Sequence, residues 1–159
     1  MAEMELATLI YGEIAGTLRQ DEHGLCSFVY APTYRGAPLS LTMPLSNRTY
    51  GHNIVRPFLF GLLPDSQEQR RAIAAEHDVA SNNPVALLCH IGLACAGAFQ
   101  FCRTDQLDAV RGRVSAYRPL TNSQIAHKLK AIRDDERETW MGSNESWSLG
   151  GNQGKFALA

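Results

Sequence analysis

Over the first 30 residues apolar and polar positions alternate with a period of two. Leu6, Thr8 and Ile10 stand against Ala7, Leu9 and Tyr11, then Ile14, Gly16 and Leu18 recur, then Cys26, Phe28 and Tyr30. That period predicts three half-buried strands. Gly12-Glu13 and the cluster Asp21-Glu22-His23-Gly24 interrupt the pattern, so the strands are expected as antiparallel neighbours in a meander. Leu39-Ser40-Leu41-Thr42-Met43-Pro44 alternates again. Pro44 brings no amide hydrogen to a ladder, which predicts an edge strand or an extended connection there.

The pattern then lengthens to a helical period. Arg56 is biased toward extended backbone by the following Pro57, and proline suits a first helical position, which predicts a short apolar helix from Pro57 to Leu63 closed by Pro64. Asp65 or Ser66 can cap a second helix running to about His77, with Glu68 near the positive end of its dipole. Asn83 as N-cap, Pro84 at the first position and Gly92 past the end bracket a third helix over Val85 to Ile91. Gly97 to Cys102 alternates once more and predicts a strand that returns to the sheet.

These elements give an α+β fold: an antiparallel sheet, a meander plus a returning strand, covered by short helices. The expected division is one domain over residues 1–103, followed by 104–159. Thr104 to Arg118 is polar and aperiodic, as in a linker. Thr121 and Gln124 form a capping box, and Ile125, Leu129 and Ile132 recur at i, i+4 and i+7, which predicts one amphipathic helix. The mixed charges from Arg133 to Glu138 suit its solvated end.

Composition narrows the function classes. Apolar residues make up 45% and charged residues 19%, a globular balance. Fifteen basic against 16 acidic side chains leave a net charge of -1 with no Lys/Arg block, which argues against direct nucleic-acid binding. No apolar run reaches membrane-span length, and Glu3 and Glu5 stand where a signal peptide carries positive charge, so a cytoplasmic chain is expected. Cys26, Cys89, Cys95 and Cys102 are scattered among apolar neighbours and read as free thiols. Neither they nor His23, His52 and His90 show metal-ligand spacing, and no metal is assigned.

The candidate chemistry lies at the C-terminal end. Gly150, Gly151 and Gly154 allow backbone N–H groups to turn toward an anion, Asn152 and Gln153 add neutral donors, and Lys155 adds a positive charge. This is the composition of a phosphate loop. It fits neither a Walker loop, since three residues separate Gly150 from Gly154 and Phe156 follows Lys155, nor the G-x-G-x-x-G pattern.

Four segments in order resemble the HipA family of toxin kinases. Leu39-Ser40-Leu41-Thr42-Met43-Pro44-Leu45 is similar to that family's Pro-Leu-Ser-Leu-Ser-Met-Pro segment. Phe58 to Asp65 resembles its helix ending in Leu-Leu-Pro-Asp/Glu. Gly92 with Gly97-Ala98-Phe99-Gln100 resembles its Gly-x-Asp-x-x-Gly-Ala-x-Gln element, and Ser148 to Lys155 its Ser-x-x-Gly-x-Gln-x-Lys phosphate loop. Two positions depart from the pattern: Ala94 where the family has Asp, and Gly154 where an acidic residue is common.

The resemblance implies an N-terminal α+β subdomain followed by the start of an atypical kinase core. It implies that residues 150–155 hold ATP phosphates, that Ser148 is a regulatory phosphorylation site, and that an HTH antitoxin of the HipB type is a partner. It also places the family's catalytic Asp, metal-binding Asp and strand lysine after this loop. ATP and Mg are therefore expected only in the complete kinase, and no catalytic residue is assigned in these 159 residues. The complete form would phosphorylate a serine or threonine of a translation component, such as an aminoacyl-tRNA synthetase. The alternative is a stand-alone module that binds and regulates a separately encoded kinase core. Trp140 and Trp147 are read as packing residues, His52 and His77 as surface or capping groups, and Asp65 as a cap.

Overall fold

The computed structural model describes residues 3–95, 98–112 and 119–134. Strands β1 (Met4–Ile10), β2 (Glu13–Gln20), β3 (Cys26–Tyr30), β4 (Thr49–Tyr50) and β5 (Phe99–Arg103) form one antiparallel sheet in the order β4-β3-β2-β1-β5. Helices α1 (His52–Phe60), α2 (Gln67–Glu76) and α3 (Pro84–Ile91) fall between β4 and β5, and α4 (Leu107–Arg111) and α5 (Asn122–Asp134) follow. The α+β class and the meander with a returning strand are as expected.

The first hairpin turns through Tyr11 at φ 51 and Gly12 at φ 79, two left-handed residues in succession. That is the geometry a two-residue turn needs to match strand twist. Tyr11 therefore leaves the strand and is 87% exposed. A second departure follows at once. The register shifts between Thr8 and Leu9, so that Thr8 faces Gly16 while Leu9 faces Ile14. This bulge turns Ala15 into the main core and moves Ile14 to the face it does not share with Leu18. Gly16 is required beside it: a Cβ there would meet the Val29 carbonyl oxygen at 2.2 Å.

One face of the sheet carries Leu6, Ile10, Leu18, Phe28 and Tyr30, packed with Val55 and Leu59 of α1 and Val85, Leu87 and Leu88 of α3. Among the described residues the other face is covered only at its β1–β5 side, where Ala7, Leu9 and Cys102 meet Val110 of α4 with half-buried Leu93 and Leu107. Being covered twice, β1 is apolar on both faces from Leu6 to Ile10 apart from Thr8. The aperiodic stretch after Arg103 thus contains two short helical pieces, Thr104–Gln106 and α4, and one of them roofs the sheet.

Two expectations are corrected. The apolar helix spans His52–Phe60 rather than Pro57 to Leu63, with Pro57 inside it and Arg56 helical despite its bias. Leu62 and Leu63 instead close tight turns onto the Leu59 and Phe60 carbonyls. Leu39 to Pro44 forms no strand; it folds into turns, with the Met43 amide donating to the Ser40 carbonyl. Pro44 has no ladder hydrogen to give, and the edge position on β3 goes to Thr49–Tyr50.

Candidate functional site

Ser148, Gly150, Gly151, Asn152, Gln153, Gly154 and Lys155 lie outside the described residues, as do Trp140 and Trp147. Gly97 of the third segment also lies outside the described residues; the remaining residues that carry the resemblance are described, and specific contacts hold them.

The 39–45 segment hangs on tyrosines of the sheet. The Tyr30 hydroxyl accepts from the Leu39 amide at 2.7 Å and donates to the Met43 carbonyl at 2.7 Å, while the Tyr50 hydroxyl donates to the Pro44 carbonyl. Tyr30 stacks on Tyr34 at 6.0 Å and meets Tyr50 edge-on at 6.2 Å. Burial pushes the Tyr30 phenol up from its ordinary value, which keeps it neutral and able to donate. Met43 and Leu39 are buried, and between them Leu41 is 95% exposed. The loop held by these contacts thus presents the Leu41 side chain to solvent.

The turn after α1 is tied by Arg70, whose guanidinium donates to the Pro64 carbonyl at 2.5 Å and the Asp65 carbonyl at 2.9 Å. Arg56 lies over the Phe60 ring at 4.6 Å and Arg70 lies 5.9 Å from the same centroid. Ser66, not Asp65, caps α2 by accepting from the Gln69 amide, and Asp65 is exposed.

Asn83 caps α3, accepting from the Ala86 amide at 3.1 Å. Its amide group is also paired head to tail with Gln20 of β2: the Asn83 Nδ2 donates at 2.9 Å and the Gln20 Nε2 donates back at 3.1 Å. Both residues are buried. Sequence reasoning missed Gln20, although a long polar residue at the core-facing end of an alternating strand is a signal that a buried partner exists. Gly92 follows α3 so closely under β5 that a Cβ would meet Phe101 Cβ at 2.7 Å.

The titratable groups read from the sequence have structural surroundings. His52, the first residue of α1, caps no helix; its Nδ1 accepts from the Cys26 amide at the start of β3 at 2.9 Å. His77 lies on His90, ring to ring. The cysteines are free. Burial raises the thiols of Cys26 and Cys102 and pushes Cys95 up to about 12, so these sulfurs stay protonated near neutral pH and are poor nucleophiles. Among the described residues no three His, Cys, Asp or Glu side chains gather as a metal site, and no helix is long and apolar enough to cross a membrane.

Fold and contacts together define an α+β domain whose described polar groups brace its own loops and caps. The chain belongs to the HipA N-terminal domain family, which it matches over residues 6–102. It is similar to a protein named "Putative kinase Y4mE" from Sinorhizobium fredii, 33% identical over 127 residues that cover 76% of this chain and 30% of that protein. It is also similar to an "Uncharacterized protein" from Haemophilus influenzae, 38% identical over 56 residues, covering 35% of this chain and 52% of the relative. The chain therefore spans about a third of the first relative and about half of the second.

Proposed function

We propose that this chain serves as the N-terminal subdomain of a HipA-type serine/threonine kinase and carries the start of its ATP-binding lobe. The observation that carries the reading is the family match over 6–102, supported by the likeness to a protein named a kinase across 127 residues. In this reading Gly150 to Lys155 hold the ATP phosphates, and Ser148 at the loop's entrance is a phosphorylation switch. ATP and Mg bind only when a kinase core supplies the metal ligands and the base, and a HipB-type HTH antitoxin is the expected protein partner.

The 159 residues by themselves are then expected to transfer no phosphate from labelled ATP to protein. Joined to a kinase core, the Ser148→Asp form is expected to bind ATP more weakly than the Ser148→Ala form, because negative charge there competes for the same donors. Transfer by the lone chain, or equal affinities, would overturn the assignment.

A second reading is a stand-alone module that binds and regulates a separately encoded kinase. The Haemophilus relative favours it, since 56 residues amount to 52% of that protein, making it little longer than the 6–102 domain. Co-purification of the chain with a separately expressed kinase core distinguishes the two: tight association in trans supports the module.

A further inference from the structure

The C-terminal ends of α2 and α3 meet through two imidazoles. His77 is the C-cap of α2 and His90 lies in the last turn of α3, with ring centroids 4.3 Å apart and planes within 6° of parallel. In-plane lone pairs of parallel rings run side by side and do not converge, so the pair is not shaped to share a metal ion. It is shaped to respond to protons. The terminal carbonyls of both helices favour one positive charge there, whereas two would repel across a single stacking distance.

The surrounding charges do not relieve that repulsion. Glu76 and Asp78 flank His77 in the chain, yet neither is ion-paired with an imidazole among the described residues. On the elements packed against α3, Arg103 of β5 is paired with Asp105 at 3.1 Å and Arg56 of α1 lies over Phe60. Burial first, and then the His77 imidazole, hold His90 below the ordinary histidine value.

The helix that would move is also the lightly held one. Within α2 only Ile73 and Ala74 are buried, against five residues of α3. Beyond it the chain reverses at Asp78, a non-glycine residue at φ 52, with the Val79 amide donating to the Ala74 carbonyl at 2.9 Å.

We propose that the His77–His90 stack is an acid-sensitive latch, holding the end of α2 on α3 at neutral pH and releasing it when both rings are protonated. The sign follows from the depressed His90 value: the folded state binds fewer protons, so the contribution is complete above the ordinary histidine value of 6.5 and is lost as pH falls below it.

Amide hydrogen exchange on the full 159-residue chain tests this, corrected for intrinsic rates, between about pH 7.5 and about pH 5. Protection of α2 is expected to fall several-fold more than that of β1 and β2. In His90→Gln, checked for native circular dichroism at neutral pH, the excess loss is expected to disappear. Ring-proton titration by NMR in the unsubstituted chain gives a readout independent of any variant: the His90 midpoint should lie below the ordinary histidine value. An unchanged pH response in His90→Gln, or a His90 titration at the ordinary midpoint, would overturn the latch.

Discussion

Asn83→Ala breaks two interactions at one position. The α3 amide of Ala86 loses its cap, which by itself costs about 1 kcal/mol. Gln20, 3% exposed, loses both its donor and its acceptor partner and is left with the Gly24 carbonyl at 3.3 Å and the Cys26 sulfur at 4.0 Å. Leaving a buried amide short of partners costs roughly 1–3 kcal/mol. The sum is about 2–4 kcal/mol, a large fraction of a small domain's stability. Asn83→Ser separates the parts, since the hydroxyl keeps a cap acceptor while the amide pair is lost. Urea unfolding followed by far-UV circular dichroism measures all of these. A double-mutant cycle with Gln20→Met should give a coupling energy of about 1–3 kcal/mol, since removing Gln20 makes the further loss of Asn83 cheaper. An Asn83→Ala cost below about 1 kcal/mol, or additivity within about 0.5 kcal/mol, would refute the claim that this pair fastens α3 to the sheet.

Other outcomes follow from single contacts. Gly16→Ala should prevent stable folding or lower the thermal midpoint sharply, because backbone at 2.2 Å cannot yield as a flexible side chain can. Thr8→Val should be neutral or raise stability by up to about 1 kcal/mol in the same urea assay, since the Thr8 hydroxyl is fully buried and has no partner among the described residues. Cys95, pushed up to about 12 by burial, adds stability that is complete below the ordinary thiol value of 9.0 and lost as pH climbs from there toward 12. Its alkylation in the folded chain near pH 8.5 should accordingly be slower than that of a free thiol, and equal rates would contradict the burial.

Much of the fold was legible because local signals agreed. Asn83, Pro84 and Gly92 mark both ends of α3, and Thr121 with Gln124 closes a box in which the Thr121 amide donates to Gln124 at 2.8 Å. What was not legible depends on neighbours distant in sequence. The bulge at Ala15 changes the phase of the alternation by one residue, and nothing in Ile14, Gly16 and Leu18 announces it. Pro57 marks a helix start by local preference, but packing of Val55 and Leu59 on the sheet carries the helix through it. Leu39 to Pro44 alternates like a strand, yet the Tyr30 hydroxyl, nine residues from Leu39, takes two of its backbone groups. The candidate phosphate loop was read from composition and motif alone, and its residues lie outside those described.

The position of β5 beside β1 sets the order in which this domain can assemble. Ile10 pairs with Phe99, so one long side of β1 waits for a partner synthesised almost a whole domain later. At ribosomal rates of about 5–20 residues per second, that is a delay on the order of 5–20 s. Until then the nascent chain holds a finished hairpin, β1 with β2, whose outer edge is apolar on both faces and open to any strand that comes near. Closure arrives in two steps, first the ladder from Phe99 to Arg103 and then the α4 roof that brings Val110 over Leu9. Folding of this domain therefore closes only once its last strand and α4 have been made, and its most vulnerable surface during synthesis is the strand that is best protected once the domain is complete.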